Sequence, residues 1–421
     1  MDKLLVYSAI KHARVKKGAG QYYRVEVPMR TLNKLGFAEC FLDDGNRIPQ
    51  EESLQNLFSS DIYIIYALAG EAMHRVVGQV NQLKPGLAMD GTTMRYPPSP
   101  VFDLDDNISY VHPLNFTFNI YGTRAPDGAR LKPGDTVAVG LEDGREIDLW
   151  TDKVTKAEGV VFDIERNHKF VETLNTLAPK CEGATFPSPY LGKWFEENYG
   201  VKDWYFFPNS VIPEDYPQVE LVPHKGVRVL WQGGMSHAID WDAVIGGAVK
   251  VFNDHPQAKM VAWGVDIFPL KKALEGKGQY EHVAWMDYAA YKAYRVMMDA
   301  DINLCPLVDN MFNRCKSAIK WYEGSMLHRP EATLAANVPP YSDEIVDGVT
   351  GMLYSNEGEF VEKLGQLIRS RELRMKLAEN AKKWVLENRH AESTCKGLHD
   401  YYQHLREKRV AQFAGTQVVT P

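Results

Sequence analysis

Cysteine is scarce and scattered. The 421 residues carry five, Cys40, Cys181, Cys305, Cys315 and Cys395, and no two form a C-x-x-C pair. That disfavours a zinc ribbon or a disulfide framework and fits a reducing cytoplasm better. Long apolar runs are missing too. The strongest, residues 62–69, is strand length and falls short of the roughly 18 residues a membrane helix needs, so no transmembrane segment is expected. The opening MDKLLVYSAIKHARVKK has no long apolar stretch before its charges, which argues against secretion. Neither sign of charge dominates: 48 basic and 55 acidic residues give a net charge of −7. This disfavours a chain coated in nucleic acid, yet allows a local basic patch. No short-period repeat is present. What remains is ordinary composition, 45% hydrophobic and 24% charged, which suffices for full cores and excludes a wholly disordered chain. At about 150 residues per domain the length suggests two to three domains.

Strand-like and helix-like segments alternate from the start. Residues 3–10 read as a buried strand, Gly18-Ala19-Gly20 opens a helical segment over 21–35, and 37–42 and 61–69 are further strands. Residues 71–83 are helical and 87–89 form a short strand. Strict alternation argues for a parallel sheet covered on both faces. The pattern breaks at Tyr96-Pro97-Pro98-Ser99-Pro100. Residues 103–155 then read as a β-rich insertion in the first domain, with turns at Pro133-Gly134-Asp135 and Asp143-Gly144. A proline-rich and acidic stretch over 213–223 reads as a linker. A second alternating unit follows, with strands at 227–231, 259–263, 282–285, 301–305 and 333–336. Helix-forming residues dominate 359–369, 372–388 and 393–409. The expectation is an α/β protein of two Rossmann-like, doubly wound domains. Residues 1–215 form the first and 224–390 the second, and 391–421 form a closing helix and tail. Open sheets of this kind bind ligands at the carboxyl ends of their strands, so a cleft between two such domains suits an enzyme with two substrates.

Residues 316–327 read as one helix. At 100° per residue Lys316, Lys320 and Glu323 then share an arc of about 60°, beside an apolar face of Ile319, Tyr322 and Met326. Lysines near a helix start that follows a strand suit a phosphate. A solvated face with an i, i+3 Lys–Glu pair is the alternative. Gly233-Gly234-Met235-Ser236-His237 follows a strand, where glycines admit a ligand close to the backbone; an ordinary βα turn reads the same way. In the first domain Lys11, His12, Arg14, Lys16, Lys17 and Arg24 flank Gly18 and Gly20. This basic loop is either solvated or acceptor-binding. Asp90, followed by Gly91-Thr92, is the best first-domain candidate for touching an acceptor hydroxyl; His112 reads as a core or hinge residue. Asp103-Leu104-Asp105, beside Asp106, spells D-x-D, but reads as a solvated acidic turn away from the second domain.

Trp231-Gln232-Gly233-Gly234, Ser236-His237, Asp240, Pro306-Leu307, Asn313, Lys316-Ser317, Lys320, Glu323 and Asp347-Gly348 through Thr350-Gly351 together resemble retaining glycosyltransferases of the GT-B fold. The likeness is to the group-1/family-4 type, including bacterial and bacteriophage forms. Ser188-Pro189-Tyr190-Leu191 and Pro208-Asn209 resemble that family's approach to its interdomain hinge, so the likeness spans about residues 185–402. It implies transfer of a sugar from a nucleotide sugar to an acceptor hydroxyl with retention, and neither a cofactor nor a metal. Glu323 would bind the donor ribose. Lys316, Ser317 and Lys320 would lie near the diphosphate, with Gly233, Gly234, Ser236 and His237 on its other side. Cys315 stands where the family has a first glutamate near the sugar, with Asp309 and Asn310 as substitutes. The catalytic candidates are thus Asp90, His237 and Lys316. The acceptor candidates are Lys11, His12, Lys16, Lys17 and Gly20. The acceptor is a glycan or small molecule; a hydroxymethylated base in bacteriophage DNA is the alternative, and a non-catalytic sugar-nucleotide binder a third reading.

Overall fold

The computed structural model describes residues 3–9, 18–43, 50–67, 70–87, 94–115, 117–140, 145–152, 154–157, 159–221 and 224–414. Asp90, Lys11, His12, Arg14, Lys16 and Lys17 lie outside the described residues. The chain forms two compact units. The first comprises Met1–Asp105, Glu172–Ser210 and Ala391–Pro421; the second comprises Asp106–Val171 and Val211–His390.

In the first unit six parallel strands lie in the order Trp204–Phe206, Gly183–Phe186, Ser99–Asp103, Ile62–Tyr66, Leu4–Ala9, Ala38–Asp43. Fully buried Leu4, Val6, Ile62 and Val101 show why these segments read as apolar runs: strands of a parallel sheet are covered on both faces. Ser99–Asp103 is central, although its Pro100 belongs to the cluster that read as a breaker. Pro100 lies opposite Tyr63 and gives up one ladder donor, but its carbonyl still accepts from the Glu182 N–H at 2.8 Å. The short strand expected at 87–89 is instead Gly86–Leu87, paired antiparallel with Met94–Arg95 outside the main sheet. The last helix, Ala391–Ala411, is part of this unit rather than a separate tail. Its Tyr401 hydroxyl accepts from the Ala184 N–H at 3.1 Å, and the Ser99 hydroxyl donates to the Leu405 carbonyl at 3.3 Å.

The second unit has six parallel strands in the order Tyr280–Ala284, Ala258–Gly264, Val227–Gly233, Ile302–Cys305, Ala332–Ala336, Met352–Tyr354. Helices Glu357–Arg369 and Arg371–Asn388 cover it through Phe360, Leu364, Leu377 and Val385, all fully buried. The β-rich segment forms an antiparallel hairpin, Thr136–Gly140 with Glu146–Trp150, and a second short pair, Thr155–Ala157 with Val160–Phe162. Its place differs from the expectation. Val111, Phe118, Leu131, Val137, Leu149 and Phe162 build one buried cluster with Phe312, so residues 106–171 belong with the second unit rather than the first. Burial of these apolar side chains, not their position in the chain, decides the grouping.

Candidate active site

The carboxyl ends of the second unit's strands carry the polar residues. Val227–Gly233 ends in the glycine turn, and a 3-10 helix, Met235–Trp241, follows. A Cβ on Gly233 would stand 2.5 Å from the Trp231 ring, and one on Gly234 would stand 3.3 Å from the ring of Trp285. Side chains are thus kept off this backbone. Trp285 follows the edge strand and is 71% exposed, leaving its indole open to solvent beside the turn.

The 3-10 helix sets His237 and Asp240 three residues apart on one side. His237 Nδ1 lies 2.6 Å from Asp240 Oδ2, while Nε2 lies 3.5 Å from Lys316 Nζ. Burial, reinforced by Lys316 and Lys320, pushes the His237 imidazole down to about 3. The ring is therefore neutral at pH 7: Nδ1–H donates to Asp240 and Nε2 accepts from the Lys316 ammonium. Burial raises the Asp240 carboxyl, but the bond to His237, the charge of Lys316 and the Val308 N–H outweigh it and hold it low. Asp240 Oδ1 accepts from the Val308 N–H and from Asn313 Nδ2, each at 3.0 Å. This one carboxylate ties three segments of the site together.

The helix expected over 316–327 is shorter and spans Ile319–Met326. A turn of helix, Met311–Arg314, precedes Ile319–Met326, and residues 315–318 connect them. Asn310 caps the start of the first turn by accepting from the Asn313 N–H at 2.8 Å, and Ala318, at ψ 34°, stands outside the helix that follows. Lys316 therefore sits on the connection, not on the stripe. It still joins the cluster, its ammonium 4.5 Å from the centre of the Phe312 ring. Lys320 lies over Trp231 at 5.9 Å, and burial brings its ammonium down to about 8. Glu323, 5% exposed, accepts from the Tyr291 hydroxyl at 2.6 Å, with Gln232 Nε2 at 3.4 Å and the Tyr288 hydroxyl at 3.5 Å. Tyr288 and Tyr291 stack with ring centres 5.6 Å apart. Ser236, on the 3-10 helix, and Ser317, on the connection between the two helical pieces, are half-buried. Asp309 is committed locally: Arg314 Nε and Nη2 donate to it at 2.5 and 2.7 Å.

The structure thus brings together Gly233, Gly234, His237, Lys316, Lys320 and Glu323. Sequence reasoning missed Tyr288, Tyr291 and Trp285. The signal was present, because Tyr288 and Tyr291 are i, i+3 on a helix that starts just past a strand end. The D-x-D is not a solvated turn. Asp103 is 2% exposed and binds Arg24 twice, to Nε at 3.0 Å and Nη2 at 2.6 Å. Arg24 is likewise buried rather than part of a solvated loop, because it lies in a π-helical turn, Tyr22–Glu26, that aims it inward. Asp105 accepts from the Tyr66 hydroxyl at 3.0 Å, and a Cβ on Gly20 would stand 2.1 Å from that carboxylate, so only glycine fits there. His112 is half-buried, its Nδ1 accepting from the Leu114 N–H at 3.2 Å. Burial lowers its pKa, against the pull of Asp242 and Asp240.

Among the described residues no group of three or more His, Cys, Asp or Glu side chains could hold a metal ion. Among them, too, no helix is long and apolar enough to cross a membrane. No family model matches the chain, and no curated protein matches it. Solved structures do. Sucrose-phosphate synthase from Thermosynechococcus elongatus superposes with a TM-score of 0.57 at 10% identity, over 96% of this chain and 99% of that one. Anabaena HepE in complex with UDP and glucose superposes with a TM-score of 0.54 at 10% identity, over 95% and 100%. A glycosyltransferase from Rickettsia africae gives 0.54 at 11% identity, over 96% and 99%. The chain spans just over half, 54%, of the length of TarM, which it matches at 12% identity and a TM-score of 0.48. Two parallel-sheet units, superposed over nearly the full length of sucrose-phosphate synthase and of HepE, give this chain the GT-B fold.

Proposed function

We propose that the protein is a glycosyltransferase that moves a sugar from a nucleotide-sugar donor to an acceptor hydroxyl, with retention and without a metal. One observation carries this reading: in one unit a neutral histidine orients a lysine, with a second lysine near and a carboxylate ringed by tyrosines beyond it. Two ammonium groups suit a diphosphate. A carboxylate among hydroxyls suits a ribose diol, and an exposed indole beside a glycine turn suits a flat base. In the reaction the bond from the sugar's anomeric carbon to the diphosphate breaks. A bond to the acceptor oxygen forms, and the acceptor proton passes to the departing diphosphate. Lys316 and Lys320 stabilise the charge that grows on that leaving group, the role a metal would otherwise fill. That HepE is described with UDP makes UDP the first nucleotide to try. The acceptor is a glycan or small molecule, in keeping with the net charge of −7. It is held by the first unit through Gly20, Asp90 and the basic residues Lys11, His12, Lys16 and Lys17.

The test is titration of the wild type and Glu323→Ala with UDP, alongside hydrolysis of a panel of nucleotide sugars. Glu323→Ala should weaken UDP by roughly 1–3 kcal/mol, as for a lost buried hydrogen-bonding partner. Equal affinity in both proteins would remove the assignment. Persistence of turnover in EDTA, and NMR of the product anomer, test the remaining two features.

A further inference from the structure

The site has two ends. Glu323, Tyr288 and Tyr291 make one, and Lys320 lies one helical turn from Glu323. The other end, past Lys316, is closed by the β-rich segment. Asn107 Nδ2 lies 3.7 Å from Cys315 Sγ, the residue next to Lys316. Phe312, on the turn of helix before it, is packed into the segment's own core with Val111 and Phe118. Asp106 directly precedes Asn107, and its carbonyl accepts from the Ile108 N–H at 3.0 Å, which fixes the turn. Asp106 is half-buried; burial raises its carboxyl against the opposing pull of Lys316, and its charge acts in turn on Cys315. Cys315 itself is fully buried and its thiol is pushed up to about 12 by burial, so it offers a ligand no charge.

A nucleotide sugar is linear: nucleoside, two phosphates, sugar. With the nucleoside at Glu323 and the phosphates at Lys320 and Lys316, the sugar falls at the end built from Asp106 and Asn107. A carboxylate accepts two hydroxyl donors at once and is the natural reader of a polyhydroxylated ring. From this arrangement we infer that Asp106, supplied by the β-rich segment, is the specificity-determining side chain for the transferred sugar, a step that rests on the donor reading above.

The experiment compares the wild type with Asp106→Asn, Asp106→Glu and Glu323→Ala in the full chain. The probes are UDP, UDP-glucose, UDP-galactose and UDP-N-acetylglucosamine, followed by titration and by donor hydrolysis. In Asp106→Asn, UDP affinity should stay within about twofold, which also shows that the site is folded. Turnover of the preferred donor should fall tenfold or more, and the preference among the three sugars should narrow. Asp106→Glu should recover part of the turnover. Unchanged turnover and preference in Asp106→Asn, with UDP binding lost in Glu323→Ala, would overturn this inference and leave the donor reading standing. No UDP or UDP-sugar binding by the wild type would overturn both. Equal loss of UDP and UDP-sugar binding in Asp106→Asn would show a structural role and also overturn it.

Discussion

Lys320 and His237 show how burial sets charge in the candidate site. His237 stays neutral near neutral pH, because burial and then the charges of Lys316 and Lys320 disfavour its protonation. It therefore serves as a fixed acceptor for Lys316 rather than as a proton donor. Lys320 pays for the same environment with an ammonium brought down to about 8. The free protein holds Lys320 charged below pH 8 and loses that charge above it. A diphosphate binds the charged form, so the affinity for UDP should be flat from pH 6.5 to 7.5. Above pH 8 it should fall, by up to tenfold per further unit. Arginine keeps its charge across this range, so Lys320→Arg should bind UDP without the alkaline fall. Titration calorimetry from pH 6.5 to 9.5 checks both, and a level wild-type profile would show that Lys320 does not meet the phosphates.

Elements differ in how plainly the chain announces them. Most strands of both sheets stood out as apolar runs bounded by glycine, proline or polar turns, whereas the short strands Gly183–Phe186 and Met352–Tyr354 did not. Val227–Gly233 and Ile302–Cys305 are clear cases. Ser99–Asp103 did not, because proline normally excludes a central strand, and only the neighbours on either side reveal that one missing N–H is tolerated. The helix through Lys316 was drawn too long because periodicity does not register where the backbone enters the helix, here at Ala318 with ψ 34°. The lysines and Glu323 were legible as a charge pattern, whereas Tyr291 and Asp106 were not. Their roles depend on a fold partner 32 residues away in one case and on the placement of a whole segment in the other. The π-helical turn Tyr22–Glu26 has a similar lesson. Its Arg24 read as a surface cation, yet it closes a buried pair with Asp103, which also accepts from the Thr185 hydroxyl at 2.5 Å. Arg24→Leu would leave that carboxylate buried without its cation, at a cost of about 3–5 kcal/mol. Replacing both Arg24 and Asp103 with leucine should recover much of the loss. Guanidinium denaturation of the three proteins measures it; a single-variant loss below about 1 kcal/mol would mean the pair does not hold the turn.

The whole molecule is organised by burial rather than by chain order. The backbone passes between the units at residues 105–106, 171–172, 210–211 and 390–391, so neither unit is one continuous stretch. The second unit's large core joins its sheet to the covering helices, while a separate cluster joins residues 111–164 to Phe312. That second cluster supports the turn of helix leading into Cys315 and Lys316, so the candidate site depends on a segment more than a hundred residues upstream of it. A fragment limited to residues 211–390 keeps all six strands but strips Phe312 of Val111, Phe118, Leu131 and Phe162. Loss of such neighbours around a buried phenylalanine is comparable to deleting its side chain, about 3–5 kcal/mol. The fragment should therefore bind a dye for exposed apolar surface, unfold at lower guanidinium than the intact chain, and bind UDP weakly or not at all. A fragment that unfolds at the intact chain's midpoint and retains UDP affinity would show that residues 106–171 support neither the fold of this unit nor its site.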